Sequence, residues 1–142
     1  MVMVKVREVM HPNASWIEPD TPLAAVAAQM DQEDIGALPV GENDRLIGMI
    51  TDRDIAIRAF ADNSDPLKRT ARDVMSQPII FCTANEDLDD AVRIMERKQV
   101  RRLPVIDENR RMIGMLSLGD VAARAPASLA GETLRALSAH HP

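Results

Sequence analysis

Thr51 and Asp54 stand three residues apart, and the chain repeats the pair as Ser117 and Asp120, 66 positions further on. A hydroxyl followed at that spacing by a carboxylate has two chemical uses. At a helix start the hydroxyl accepts a backbone N–H while the acid reaches back to the N–H of the hydroxyl residue, which makes a capping box. The same helix start leaves unpaired N–H groups and a positive dipole end, and a phosphate suits that place. A carboxylate one turn into the helix can also accept hydrogen bonds from the two adjacent hydroxyls of a ribose. Spacing alone favours the cap, and the two uses can coexist.

The surroundings of the two pairs differ in charge. Arg53 lies inside the first pair, where the second has Gly119. The second pair is preceded by the run Arg97-Lys98-Gln99-Val100-Arg101-Arg102, where the first has only Ile35-Gly36-Ala37 before its strand. Such a run is ordinarily a solvated helix end. Guanidinium forks nevertheless match phosphate oxygens, which makes Arg53 and Arg102 phosphate candidates.

Other reactive residues lead nowhere comparable. His11, His140 and His141 lack metal-ligand spacing, so no metal is expected. Cys82 lies in an apolar segment without a basic neighbour, which fits a buried structural thiol better than a nucleophile. No nucleophile, base and orienting group can be assembled, so the chain is read as non-enzymatic and without a cofactor.

The elements that position the two pairs repeat as well. Arg7-Glu8-Val9-Met10 recurs as Arg72-Asp73-Val74-Met75, Leu38-Pro39-Val40 as Leu103-Pro104-Val105, and Ile47-Gly48-Met49 as Ile113-Gly114-Met115. In the first copy, Thr21 as N-cap with Pro22 at the first helical position predicts a helix with an apolar stripe of Leu23, Val26, Ala27 and Met30. In the second, Asn85 is the expected cap, and Leu88, Ala91, Val92 and Met95 form the stripe. A strand ending in Leu-Pro-Val follows, then a polar turn (41–45 or 107–111) and a second strand (46–50 or 112–116). A second helix begins near Asp52 or Leu118. With Trp16-Ile17 or Ile79 to Cys82 as the opening strand, each copy reads β-α-β-β-α. The paired methionines, such as Met30 with Met95, are read as packing. Such a unit leaves apolar surface bare, so the two copies are expected to cover each other. Ala130, Leu134 and Leu137 suggest a short terminal helix.

Composition bounds the rest. The chain has 142 residues, 46% apolar and only 2% aromatic, with a net charge of −5. The acidic excess falls within residues 1–70, and residues 71–142 are balanced. That distribution lacks the basic footprint of a nucleic-acid binder. No apolar run reaches membrane-spanning length and no signal peptide is evident, so neither membrane association nor export is expected. One cysteine allows no internal disulfide, and the cytoplasm is the expected compartment.

Together these residues resemble the CBS domain family, named after cystathionine beta-synthase, whose members occur as tandem pairs. The resemblance runs from Val6 to about Arg124. It rests on Met10 and Met75, on the two Leu-Pro-Val strands, and on a closing motif of Gly, two apolar residues, Thr or Ser, two residues and Asp. That motif is Gly48 to Asp54 in one copy and Gly114 to Asp120 in the other. The resemblance implies an α/β (α+β) fold in which two β-α-β-β-α repeats pack as a pseudo-two-fold pair, plus the short C-terminal helix. The expected boundaries are 1–60, a linker at 61–70, 71–126, and a tail at 127–142. It further implies an adenosine ligand, such as AMP, ADP, ATP, a nicotinamide dinucleotide or S-adenosylmethionine, in the cleft between the repeats. Thr51 and Ser117 would face phosphate, and Asp54 and Asp120 would hold the ribose. Backbone beside the Pro-Val strands would contact the base, at Ala37, Leu38 and Pro39 in one copy and Leu103 and Pro104 in the other, with Ser15 and Ile80 also in the ligand site and Arg102 as a phosphate candidate. A homodimer and a regulated protein acting in trans are implied too. The competing reading is a structural homodimerisation module with empty or degenerate sites.

Overall fold

The computed structural model describes residues 4–12, 15–76 and 80–124. Its elements in chain order are α1 (Val6–Val9), β1 (His11–Pro12), α2 (Leu23–Glu33), β2 (Ala37–Glu42), β3 (Arg45–Thr51) and α3 (Asp52–Arg58). A 3₁₀ turn (Pro66–Lys68) leads to α4 (Ala71–Val74), β4 (Cys82–Thr83), α5 (Leu88–Lys98), β5 (Arg102–Ile106), β6 (Met112–Ser117) and α6 (Leu118–Arg124). The described residues end at Arg124, so the expected tail 127–142, with its helix at Ala130, Leu134 and Leu137, lies outside the described residues.

The described residues form two compact units, one from 15–76 and one from 4–12 together with 80–124. These will be called the first-copy and second-copy units. Each repeat thus gives its opening segment to the unit built from the other repeat. In the second-copy unit, α1 is held by Val6 N–H donating to Glu86 O at 3.0 Å, Arg7 N–H to Ala84 O at 3.0 Å, and Lys5 Nζ to Asp87 Oδ1 at 2.7 Å. Arg124 at the end of α6 donates to Val9 O at 3.2 Å. In the first-copy unit, α4 is held by Ala71 N–H to Thr21 O at 2.9 Å, and Arg58 at the end of α3 donates to Met75 O at 3.2 Å. Sequence periodicity is the same whichever unit a segment joins, so it could not show this exchange.

The first-copy sheet is the antiparallel pair β2–β3, closed by a two-residue turn in which Asn43 and Asp44 both take positive φ (55° and 65°). Asn and Asp accept that conformation at low cost, and its twist matches the strands it joins. The second-copy sheet has the order β1-β6-β5-β4, antiparallel except for β4 against β5. The core of the first-copy unit gathers Leu23, Val26, Met30, Leu38, Val40, Ile50 and Val74; that of the second gathers Val9, Leu88, Val92, Met95, Leu103, Val105 and Leu116.

Several local expectations change. The chain enters α2 with Pro22 as N-cap instead of Thr21, because Pro22 stays extended in a bridge with Thr70. It enters α5 with Asp87 as N-cap instead of Asn85, because Asp87 is bridged to Lys5. In both copies the docking opening segment delays the helix. Ala27 is exposed whereas its counterpart Val92 is fully buried, so the stripe of α2 is narrower than its sequence suggests. The opening strand of the first copy reduces to a single bridge from Ile17 to Val40; among the described residues that of the second is Cys82–Thr83, and Ile79 lies outside them.

Met30 and Met95 are buried as core fillers, while Met10, Met49, Met75 and Met115 are half-buried. Met75 and Met10 pack over the glycines of the closing motifs. A Cβ built on Gly48 would lie 2.7 Å from Met75 Sδ, and one on Gly114 would lie 3.0 Å from Met10 Sδ. Only glycine lets the opening segment approach the strand so closely.

Candidate functional site: the two strand-to-helix turns

In the first-copy unit β3 ends at Thr51, whose Cα partner across the sheet is Ala37. The chain then turns into α3 with a complete capping box. Thr51 Oγ1 accepts from Asp54 N–H at 3.0 Å, and Thr51 N–H donates to Asp54 Oδ2 at 3.0 Å. Asp52 N–H donates to Gly36 O at 2.9 Å, and Arg53 N–H to Asp52 Oδ1 at 2.8 Å. The first three amides of α3 therefore all have acceptors within the protein. The Arg53 side chain is exposed beside them.

Asp54 does more than cap. Ser76 Oγ donates to it at 3.1 Å (Oδ1) and 3.2 Å (Oδ2), and Arg58 Nε lies 3.9 Å from Oδ1. Its side chain is only 12% exposed. Neither Ser76 nor Arg58 was marked by the sequence pattern. The available signal was that Ser76 directly follows the recurring segment ending in Met75, and that Arg58 recurs as Arg124.

In the second-copy unit β6 ends at Ser117, and its Cα partner is Arg102, in the place of Ala37. Ser117 Oγ accepts from Asp120 N–H at 3.0 Å, and Ser117 N–H donates to Asp120 Oδ2 at 3.2 Å. Leu118 N–H donates to Arg101 O at 3.0 Å. Leu118 is buried where the first copy has the exposed Asp52.

The remaining candidates sort by burial. Leu38, Pro39, Leu103 and Pro104 are all buried, so only their backbone could meet a ligand. The Pro39 carbonyl already accepts from Ile17 N–H at 3.0 Å. The Ser15 hydroxyl donates to Glu33 Oε1. Ile80 is half-buried against the second-copy core. The structure thus groups Ala37, Thr51 and Asp54 in one unit, and Arg102, Ser117 and Asp120 in the other. Cys82 is buried, and burial followed by the nearby Glu86 charge pushes its thiol up to about 12. No reactive thiolate forms there.

Residues 6–59 and 71–126 each match the CBS domain family. This chain is a member of the CBS domain family. It is 38% identical over 125 residues to hypoxic response protein 1 of Mycobacterium tuberculosis, covering 87% of both chains. The solved structure of Hypoxic Response Protein I, with two coordinated zinc ions, superposes with a TM-score of 0.79 at 38% identity, over 87% of this chain and all of the other. CBSX2 in complex with AMP superposes with a TM-score of 0.76 at 26% identity, over 85% of this chain and 95% of that one. The α/β CBS pair with two repeats is therefore established. Among the described residues no helix is long and apolar enough to cross a membrane.

Proposed function

We propose that this CBS pair is a non-catalytic regulatory module of the cytoplasm that binds an adenosine nucleotide, such as AMP, ADP or ATP, and passes the change to a protein partner in trans. The observation that carries this reading is the hydroxyl–carboxylate turn formed in both copies, Thr51 with Asp54 and Ser117 with Asp120. Capping accounts for one carboxylate oxygen in each pair. Chemistry for a ribose diol remains at the other oxygen of Asp120, whereas that of Asp54 also takes the Ser76 hydroxyl, and Arg102 opposite Ser117 offers a cation for phosphate. The complex of CBSX2 with AMP supports the choice of ligand class. Melting curves with AMP, ADP, ATP, nicotinamide dinucleotides and S-adenosylmethionine test it. A ligand at about 100 times its Kd adds roughly 2.7 kcal/mol of stability. Unmoved curves at millimolar concentration with all of these would sink the reading.

The described residues fit a zinc role poorly. Among the described residues the group with metal-ligand proximity is Asp87, Asp89 and Asp90, all carboxylates, and Lys5 and Arg93 already pair with them. Zinc sites favour nitrogen and sulfur donors.

A second reading, self-association as a structural homodimer, is favoured by a specific surface. The outward face of α2 carries exposed Ala24, Ala25, Ala27 and Ala28. Packed beside α2, α3 exposes Ile57 at 51%, and Phe60 just beyond it is 65% exposed. The two readings are compatible, since a homodimer can also carry ligand.

A further inference from the structure

We propose that the two carboxylates have diverged: Asp54 latches the opening segment of the second repeat to the first-copy unit, and Asp120 alone holds the hydroxyls of a phosphate-bearing nucleoside. The second half rests on the nucleotide reading above; the first half does not.

An ionised carboxylate offers about four lone-pair sites. Asp54 gives Oδ2 to Thr51 N–H, and both oxygens to the Ser76 hydroxyl, with the Arg58 guanidinium alongside Oδ1. The donors are themselves braced. Ser76 N–H donates to Met49 O at 2.7 Å, and Arg58 Nη1 donates to the carbonyls of Val74 at 3.4 Å and Met75 at 3.2 Å. A ribose reaching Asp54 would have to displace the Ser76 hydroxyl and break a contact that secures α4.

The second copy lacks this latch. The repeat offset places His11 where the first copy has Ser76, and among the described residues the hydrogen bonds of Asp120 are those of the capping box with Ser117. Arg124, the counterpart of Arg58, donates to Val9 O. Charge points the same way. The first turn carries Asp52 and Asp54 against Arg53, whereas the second has Leu118 and Gly119 in the places of Asp52 and Arg53. Arg102 stands opposite Ser117, and among the described residues it has no ion-pair partner. An anionic ligand meets one carboxylate instead of two at the second turn, with Arg102 across the strand pair from Ser117.

Two measurements separate the halves. Without ligand, Ser76→Ala and Asp54→Ala should each lower Tm by a few degrees. The double variant should match Asp54→Ala alone, since the same contact is lost once. Asp120→Ala, losing only a cap, should lower Tm less than Asp54→Ala. Additive shifts of Ser76→Ala and Asp54→Ala would overturn the latch; the mild Ser76→Ala change keeps this test open if Asp54→Ala folds poorly. With AMP, calorimetry should give one equivalent per chain, unaltered in Ser76→Ala and weakened at least tenfold in Asp120→Asn. Arg102→Ala should weaken AMP at least tenfold and leave adenosine unaffected. Two equivalents, or wild-type affinity in Asp120→Asn, overturns the assignment to Asp120. No AMP binding at all overturns that half together with the nucleotide reading, and leaves the latch standing on the ligand-free result.

Discussion

Gly114 lies against the backbone of His11: a Cβ at 114 would sit 2.7 Å from the His11 carbonyl oxygen. The corresponding obstacle at Gly48 is the Met75 side chain, with Sδ at 2.7 Å and Cγ at 3.1 Å, and no backbone atom among the nearest. Gly114→Ala should therefore cost about 1–3 kcal/mol, the usual range for overpacking, because β1 must move off β6. Gly48→Ala should cost about 1 kcal/mol or less, since Met75 can change rotamer. Urea denaturation of both variants checks the order, and a larger loss at Gly48 would contradict it.

Both capping hydroxyls should matter without any ligand. Thr51→Ala and Ser117→Ala each remove an acceptor for the N–H of the paired acid and should destabilise by about 1 kcal/mol, as cap losses do. Chemical denaturation at neutral pH measures this. Values near zero for both would mean that water replaces the hydroxyl at no cost.

Cys82 sets an alkaline limit. Its thiol is held neutral up to about 12 in the folded chain, against an ordinary value of 9.0. The unfolded chain therefore loses this proton first, so the stability the neutral thiol contributes is intact below pH 9 and falls as pH rises toward 12. Cys82→Ala should show a shallower decline over that window. The native thiol should also resist a thiol reagent at pH 8 until denaturant is added, and rapid native labelling would refute the burial argument.

Phe60 tests the exposed face. If α2 and α3 carry the contact between two copies, Phe60→Asp should shift light scattering from a dimer toward the 15.7 kDa monomer without lowering the melting temperature of the monomer. A wild-type protein that is monomeric at micromolar concentration would remove the basis for the homodimer.

The repeat was legible because equal environments demand equal residues: Leu38 and Leu103 are both fully buried, and the two Leu-Pro-Val strands pair in matching registers. The capping boxes were legible because their partners are only three residues apart. What escaped the sequence was contact over long separations. The bridges Pro22–Thr70 and Lys5–Asp87, which moved both helix starts, join segments whose proximity no local pattern encodes. The same holds for Ser76, whose hydroxyl meets a carboxylate 22 positions away. Four-residue helices such as α1 and α4 are too short to give a periodic signal.

The exchange of opening segments also governs how the chain can be cut. Arg124 and Val9 are joined across 115 positions, so the second-copy unit cannot close until both of these distant segments are present. Contacts of such long span carry a high loop-closure cost and slow folding. A nick within residues 61–65 would leave two fragments, each missing a segment that the other holds. Neither should fold well alone, yet mixing them should restore both units, with each fragment supplying the missing segment of the other.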